Sequence, residues 1–344
     1  MTGAEEQPMC VNVAVLKETH PQERRVALVP SVAAKLIKLG ARIRMQRSAG
    51  AAINLADAAF ANVNFTDDRD ELVGDADVVL AVQPPALDVV SAMKEGSILV
   101  SFIYGNKEPA LMKRLLEKKI TCFAMECVPR ITRAEARDTP SSRSALAGYY
   151  AVLLGSTHLG RILIGSAKVL VMGLGVAGLE SIATARRLGA VVEGYDVRPE
   201  TAERARSLGA KFVDTAVEDV LTQHIQQADL VITTAVPGRP SPKLITRKQV
   251  AGMKAGAVIV DLSAEGGGNC EDTQPGKTAR VGTVTIIASL NVPSLGEDAS
   301  HLYAQNQYAL LALMLKDNVI TIDWKDQILQ KTVLTHAGHM GDGN

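Results

Sequence analysis

The chain has 344 residues, no net formal charge and 22% charged residues, so binding to nucleic acid through phosphate neutralisation is excluded. Aromatic residues are only 3% and apolar residues 47%. Ala, Val, Leu and Ile must therefore build the core, which favours buried parallel strands in an α/β arrangement, and the length favours two domains.

Cys10, Cys122, Cys127 and Cys270 fit neither a zinc spacing nor a disulfide framework and are read as buried free thiols in a reducing compartment. The first residues, MTGAEEQPMCVNVAVLKETH, lack a basic segment followed by an apolar one. No apolar stretch reaches the ~20 residues of a membrane helix. The expectation is a cytoplasmic chain without direct membrane insertion, so that any membrane process it serves uses another polypeptide.

The predicted elements alternate. VNVAVLKE (11–18) reads as a buried strand and VPSVAAKLIKLG (29–40) as a helix closed by Gly40. ARIRMQ alternates like a strand, NLADAAFANV reads as a short helix, and DADVVLAVQPP (75–85) is a strand stopped by two prolines. PALDVVSAMKEG is a helix, SILVSFIYG (97–105) a strand, EPALMKRLLEKK (108–119) an amphipathic helix and ITCFAMECV a strand. A long helix follows in SSRSALAGYYAVLLGSTHLGRIL, with Ser141 or Ser142 available as its cap. AKVLVMGLG, AVVEGYDV, ADLVITTA (228–235), AGAVIVDLS (255–263) and VTIIAS (284–289) are further strands. VAGLESIATARRLG, PETAERARSLG and the long ASHLYAQNQYALLALMLK (299–316) are helices, and the tail HAGHMGDGN is expected to be loose.

This pattern predicts an α/β fold of two Rossmann-like doubly wound parallel-sheet domains with a cleft between them. Residues 1–132, completed by 300–344, would form the first and 133–299 the second. The six histidines form no i, i+4 pair, and no metal site is predicted. Tyr149 and Tyr150 are expected to pack in the core.

The clearest motif is VLVMGLGVAGLE, which carries Gly173-x-Gly175-x-x-Gly178 between a strand and a helix. Gly173 permits the tight turn, Gly175 the close approach of a pyrophosphate, and Gly178 the packing of helix on strand. Val176 and Ala177 open the helix, whose free N–H groups favour an anion. Asp196 ends the next strand about 20 residues on, where it can accept hydrogen bonds from ribose and repel a 2′-phosphate. NAD(H) is the predicted cofactor, with Val197 and Arg198 flanking the adenine and Ala235, Val236 and Pro237 walling the site. The first domain has no such fingerprint, so one dinucleotide site is expected.

VLVMGLGVAGLESIATARRLGAVVEGYDVRPETAERARSLGAKFVD, DLSAEGGGNCEDTQPGK, NVPS with DASHLYAQN, and the N-terminal VAVLKETHPQERRVALVP together resemble the alanine dehydrogenase/transhydrogenase family. Within it they are most similar to the soluble NAD(H)-binding component of proton-translocating nicotinamide nucleotide transhydrogenases. The resemblance spans roughly residues 10–316. It implies that PRITRAEARDTPSSRS (129–144) is the loop that lies against the nicotinamide. Arg130 would contact the carboxamide region, and Asp138 and Ser141 would hold the ring. Glu135 stands where the family has glutamine, an acceptor-only group in place of a donor and acceptor. Glu265 and Asn291 would lie near the nicotinamide, and Arg25 matches an arginine that binds substrate carboxylate in the dehydrogenases. The catalytic lysine and histidine of those enzymes read here as Ala81 and Tyr104.

The implied function is hydride transfer between NADH and NADP⁺ held on an NADP(H)-binding, membrane-bound partner subunit, by a chain that is itself a homodimer. Two other readings stay open at this point, a stand-alone amino- or keto-acid dehydrogenase and an NAD(H)-binding protein without turnover. Two segments are shorter than the family's usual ones: AVEDVLTQHIQQ, where a mobile loop closes over nucleotide, and GSTHLGRILIGSAK.

Overall fold

The computed structural model describes residues 10–20, 23–105, 108–128, 139–214, 220–234, 241–288, 296–316 and 318–341, with side chains for all but 139–143 and 265. The chain divides into two compact units, Met1–Ser142 with Ser294–Asn344, and Arg143–Pro293.

The first unit opens with β1 (Val11–Val15), α1 (Pro30–Lys38) and β2 (Ala41–Gln46). Pro30 stands at the first turn of α1, Lys35 and Lys38 lie in its last, and Val32, Ala33 and Leu36 form its buried stripe. The helix predicted over NLADAAFANV is instead two 3₁₀ turns, Ala51–Ile53 and Asp57–Ala59. Asn54 sits between them in the left-handed region at φ 61° and interrupts the helical run. There follow β3 (Asn64–Thr66), α2 (Arg69–Gly74), β4 (Val78–Leu80), α3 (Leu87–Ala92), β5 (Ile98–Ser101), α4 (Pro109–Glu117) and β6 (Thr121–Ala124). Helix α2 was not predicted; it is capped by Asp68, which accepts from the Glu71 N–H at 2.9 Å.

The second unit runs through α5 (Thr139–His158), β7 (Lys168–Met172), α6 (Val176–Arg187), β8 (Val191–Tyr195), α7 (Ala202–Ser207) and β9 (Lys211–Phe212). It continues with α8 (Val220–Gln227), β10 (Leu230–Thr233), α9 (Arg247–Ala251), β11 (Val258–Asp261), β12 (Thr278–Val281) and β13 (Val284–Ile287). Its sheet has the order β12-β13-β11-β10-β7-β8-β9, parallel except for the β12–β13 pair. Alternate residues of each strand feed opposite cores: Val169 and Val171 one, Leu170 and Met172 the other. Because α5 begins at Thr139, Ser141 and Ser142 lie inside its first turn and are not its cap. Tyr149, expected in the core, is 46% exposed.

The chain then returns to the first unit as α10 (Gly296–Leu311), β14 (Leu315–Lys316), β15 (Val319–Ile320), α11 (Gln327–Thr332), β16 (Val333–His336) and β17 (His339–Met340). The first sheet is thereby β17-β16-β6-β5-β4-β1-β2-β3. The tail expected to be loose is thus a sheet edge: β16 pairs antiparallel with β6, and His336 packs its ring 4.4 Å from that of Trp324. Helix α10 sets Tyr303, Ala304, Leu310 and Leu311 against one face of this sheet, beside α1.

Candidate functional site

In both sheets the strand order reverses next to the first strand of the unit. β8 flanks β7 on one side and β10 on the other; β2 and β4 flank β1 likewise. In open α/β sheets such a switch point, at the carboxyl ends of the strands, is where ligands bind. Each unit carries its polar cluster there.

In the second unit, β7 delivers the chain to Gly173 at φ 95°, and α6 starts at Val176. A Cβ at Gly178 would meet the Gly173 carbonyl oxygen at 1.9 Å, so only glycine lets the helix sit this close to the turn. The extended Gly175 caps α6 without a side-chain hydrogen bond, which leaves the N–H groups of its first turn for an anion. Thr234, just beyond β10, donates from its hydroxyl to the Gly173 carbonyl at 2.7 Å and braces the turn from across the switch point. Behind the turn, Ser181 donates to the carbonyls of Gly148 and Ala177 at 3.0 and 2.9 Å, and a Cβ at Gly148 would lie 2.1 Å from the Ala177 oxygen. Helix α5 therefore packs directly on the first turn of α6.

Asp196 follows β8. Its Oδ2 accepts the Leu174 N–H at 2.6 Å, which ties this acid to the glycine turn. Arg198 makes the remaining contacts: its backbone N–H and Nε donate to Oδ1 and its Nη2 to Oδ2, each at 2.9 Å. Burial opposes the charge on Asp196, but the Arg198 guanidinium and these N–H groups outweigh it and hold the carboxyl below its usual range. Val197 stands 77% exposed beside it.

The loop after β11 is held from within and from outside. Asp261, buried, accepts from Thr233 Oγ1, Thr273 Oγ1 and the backbone N–H groups of Ser263, Asn269 and Cys270 at 2.6 to 3.2 Å. Lys243 Nζ donates to the carbonyls of Gly267, Gly268 and Cys270 at 2.6, 3.0 and 3.1 Å. Glu265 lies in the 3₁₀ turn Ala264–Gly266 that this loop carries, its own side chain outside the described atoms.

In the first unit the cluster forms at the ends of β1, β4 and β5. Arg25, buried, donates from Nε and Nη2 to Glu23 at 2.9 and 2.6 Å, and its guanidinium carbon lies 5.5 and 5.6 Å from the ring centres of Phe102 and Tyr303. Gln83 Nε2 donates to Glu23 Oε2, the oxygen that also takes Arg25 Nη2, at 2.6 Å. Burial would raise the Glu23 carboxyl, yet the Arg25 hydrogen bonds hold it at about 2. Glu18 turns its carboxyl to the end of β4, accepting the N–H groups of Val82 at 2.6 Å and Gln83 at 3.1 Å. Burial pushes it up to about 7. Glu126 accepts the N–H groups of Ile103 and Tyr104 at the end of β5. Ala81 belongs to the apolar core, and Tyr303 donates to its carbonyl at 2.8 Å. The side chain of this strand end that reaches Glu23 is that of Gln83; neither position 81 nor position 83 carries an amine.

Of the residues named from sequence, the structure brings together Gly173, Gly175, Val176, Ala177, Gly178, Asp196, Val197 and Arg198 around one turn. Arg130, Glu135, Asp138, Ala235, Val236, Pro237 and Asn291 lie outside the described residues, and Ser141 is described only as part of α5. Sequence reasoning missed Gly148, Thr234, Lys243 and Asp261. Only Asp261, a lone acid closing an apolar strand, carried a local signal.

The second unit is a dinucleotide-binding Rossmann domain of the NAD(H) type, with the acid Asp196 directly after its second strand. A family model described as the alanine dehydrogenase/PNT N-terminal domain matches residues 14–147, and that of the C-terminal domain matches 152–342. NAD(P) transhydrogenase subunit alpha of Haemophilus influenzae is 36% identical over 95% of this chain and 71% of its own. Alanine dehydrogenase of Mycobacterium tuberculosis is 32% identical over 77% of this chain and 76% of its own. The crystal structure of transhydrogenase from Sinorhizobium meliloti superposes with a TM-score of 0.90 at 38% identity, covering 96% of this chain and 99% of the other. The chain belongs to the alanine dehydrogenase/PNT family.

Proposed function

We propose that this chain is the NAD(H)-binding component of a proton-translocating NAD(P) transhydrogenase. Hydride passes between NADH bound at the Gly173–Gly178 turn and NADP⁺ held on a partner subunit. One observation carries the choice within the family: at the ends of β4 and β5, where a dehydrogenase of this kind needs an amine and an imidazole, stand Ala81, Gln83 and Tyr104. Reductive amination requires a general acid and base, whereas hydride transfer between two nicotinamides requires only that the reacting carbons be held at roughly 3–3.5 Å and kept dry.

On this reading residues 133–299 hold the nucleotide, residues 1–132 with 300–344 complete the chain, and Asp196 accepts from the adenosine ribose. Arg130, Glu135, Asp138 and Ser141 orient the nicotinamide, with Glu265 and Asn291 beside it and Ala235, Val236 and Pro237 along the wall. The chain acts as a homodimer on the inner face of the membrane through its partner. Among the described residues no helix is long and apolar enough to cross a membrane.

The test mixes the purified chain, NADH and an NADP⁺-loaded NADP(H)-binding component and follows NADPH. Partner-dependent NADPH is expected. NADH consumption with a 2-oxo acid and ammonia, and none with the partner, would overturn the proposal in favour of a dehydrogenase.

A further inference from the structure

Asp196 has no acceptor position to spare. A carboxylate offers about four lone-pair sites, and here Leu174 N, Arg198 N, Arg198 Nε and Arg198 Nη2 take them. The Leu174 and Arg198 backbone donors are fixed by the glycine turn and by the turn after β8, where Thr201 binds back to the Arg198 carbonyl at 2.8 Å. Only the guanidinium can leave. Its side chain is 55% exposed, whereas that of Asp196 is 5% exposed.

Resting on the NAD(H) reading above, we infer that Arg198 is a specificity-determining gate on the adenosine-ribose site, its guanidinium competing with the ribose hydroxyls for Asp196. NADH enters by exchange: ribose O–H groups replace Nε and Nη2, and the guanidinium swings into solvent. Every NADH bound thus displaces an existing ion pair, and intrinsic affinity is reduced by that competition. The displaced guanidinium stays close, because the Arg198 backbone N–H remains on Oδ1. A nucleotide with a 2′-phosphate would meet it there and gain a charge-assisted partner that offsets repulsion by Asp196. Arg198 therefore narrows the preference for NADH over NADPH from both sides, weakening one and tolerating the other.

Arg198→Met and Arg198→Lys in the full chain, titrated calorimetrically with NADH and with NADPH, test this. For Arg198→Met the Kd for NADH should fall roughly two- to fivefold, the range set by a partly exposed ion pair. The Kd for NADPH should rise by a comparable factor. Arg198→Lys, a point charge without the two-pronged fork, should fall between the variant and the unchanged chain for both nucleotides. Weaker or unchanged NADH binding by Arg198→Met would overturn the gate and make the guanidinium a holder of adenine. The NAD(H) reading is tested separately by Asp196→Asn, which should lose NADH affinity in either background. Retained NADH affinity there would overturn the ribose role of Asp196 and the gate with it, whereas an unchanged chain that binds no NADH would overturn the NAD(H) reading itself.

Discussion

The ammonium of Lys243 reaches the carbonyl of Gly267 at 2.6 Å and spans on to Gly268 and Cys270, closing the loop that carries Glu265. One cation on three carbonyls fixes a glycine-rich backbone that has little side-chain packing of its own. Lys243→Met removes all three bonds and keeps most of the stem. We expect NADH to bind several-fold more weakly while ADP-ribose, which lacks the nicotinamide, binds unchanged. A charged hydrogen bond is worth about 1.5–3 kcal/mol, and part of that is recovered by water at this exposed position. Equal losses for both ligands would show that the loop does not serve the nicotinamide half.

Glu23 and Arg25 form a buried, two-pronged pair at 2.6 Å, and Gln83 Nε2 shares the Glu23 Oε2 with the guanidinium. Such a pair adds little against an apolar replacement, but half of it is worse than none. Arg25→Met leaves the buried Glu23 carboxylate without the guanidinium and should cost about 3–5 kcal/mol in urea unfolding. The double variant Glu23→Gln/Arg25→Met should recover most of that loss. A double variant no more stable than the single one would mean that Arg25 matters through packing on the two rings rather than through charge.

Much of this was legible because both sheets are buried on two faces. Val13 to Leu16, Val78 to Val82 and Val169 to Met172 are continuous apolar runs, the mark of interior parallel strands. The glycine turn was equally plain, since spacing, strand, helix and Asp196 all agree. The β16–β17 hairpin was hidden for the opposite reason. Its turn uses Ala337 and Gly338 at φ 49° and 86°, and alanine is not a residue that announces a positive φ. Its pairing with β6 joins segments far apart in the chain. The acids at the strand ends were also unreadable: nothing local distinguishes Glu18, which binds the Val82 and Gln83 N–H groups, from a solvated glutamate.

Gly178 makes the sharpest packing prediction. Gly178→Ala would place a methyl carbon 1.9 Å from the Gly173 oxygen, a backbone atom that cannot yield by rotating a side chain. Helix α6 must then lift from the turn, which moves its first N–H groups away from the pyrophosphate and disturbs the Thr234 bond to Gly173. Calorimetry should show NADH binding reduced by more than about tenfold, with a stability loss of about 1–3 kcal/mol from overpacking. Wild-type affinity in this variant would show that the turn has slack.

The pH dependence of stability should carry opposite contributions from two neighbouring glutamates. Glu23 is held at about 2, below the unfolded value of 4.5, so its contribution is present above 4.5 and lost as pH falls towards 2. Glu18 is pushed by burial from 4.5 up to about 7. The folded chain then holds that proton more tightly than the unfolded one, so the contribution is complete below 4.5 and lost as pH rises through 7. Glu18→Gln fixes the neutral form. Its urea midpoint should match that of the unchanged chain near about pH 5 and exceed it near about pH 8, where the natural carboxylate must stay ionised beside Glu23. Parallel midpoints for the two proteins across that range would place the ionisation of Glu18 well below neutrality, with its two backbone N–H partners outweighing burial.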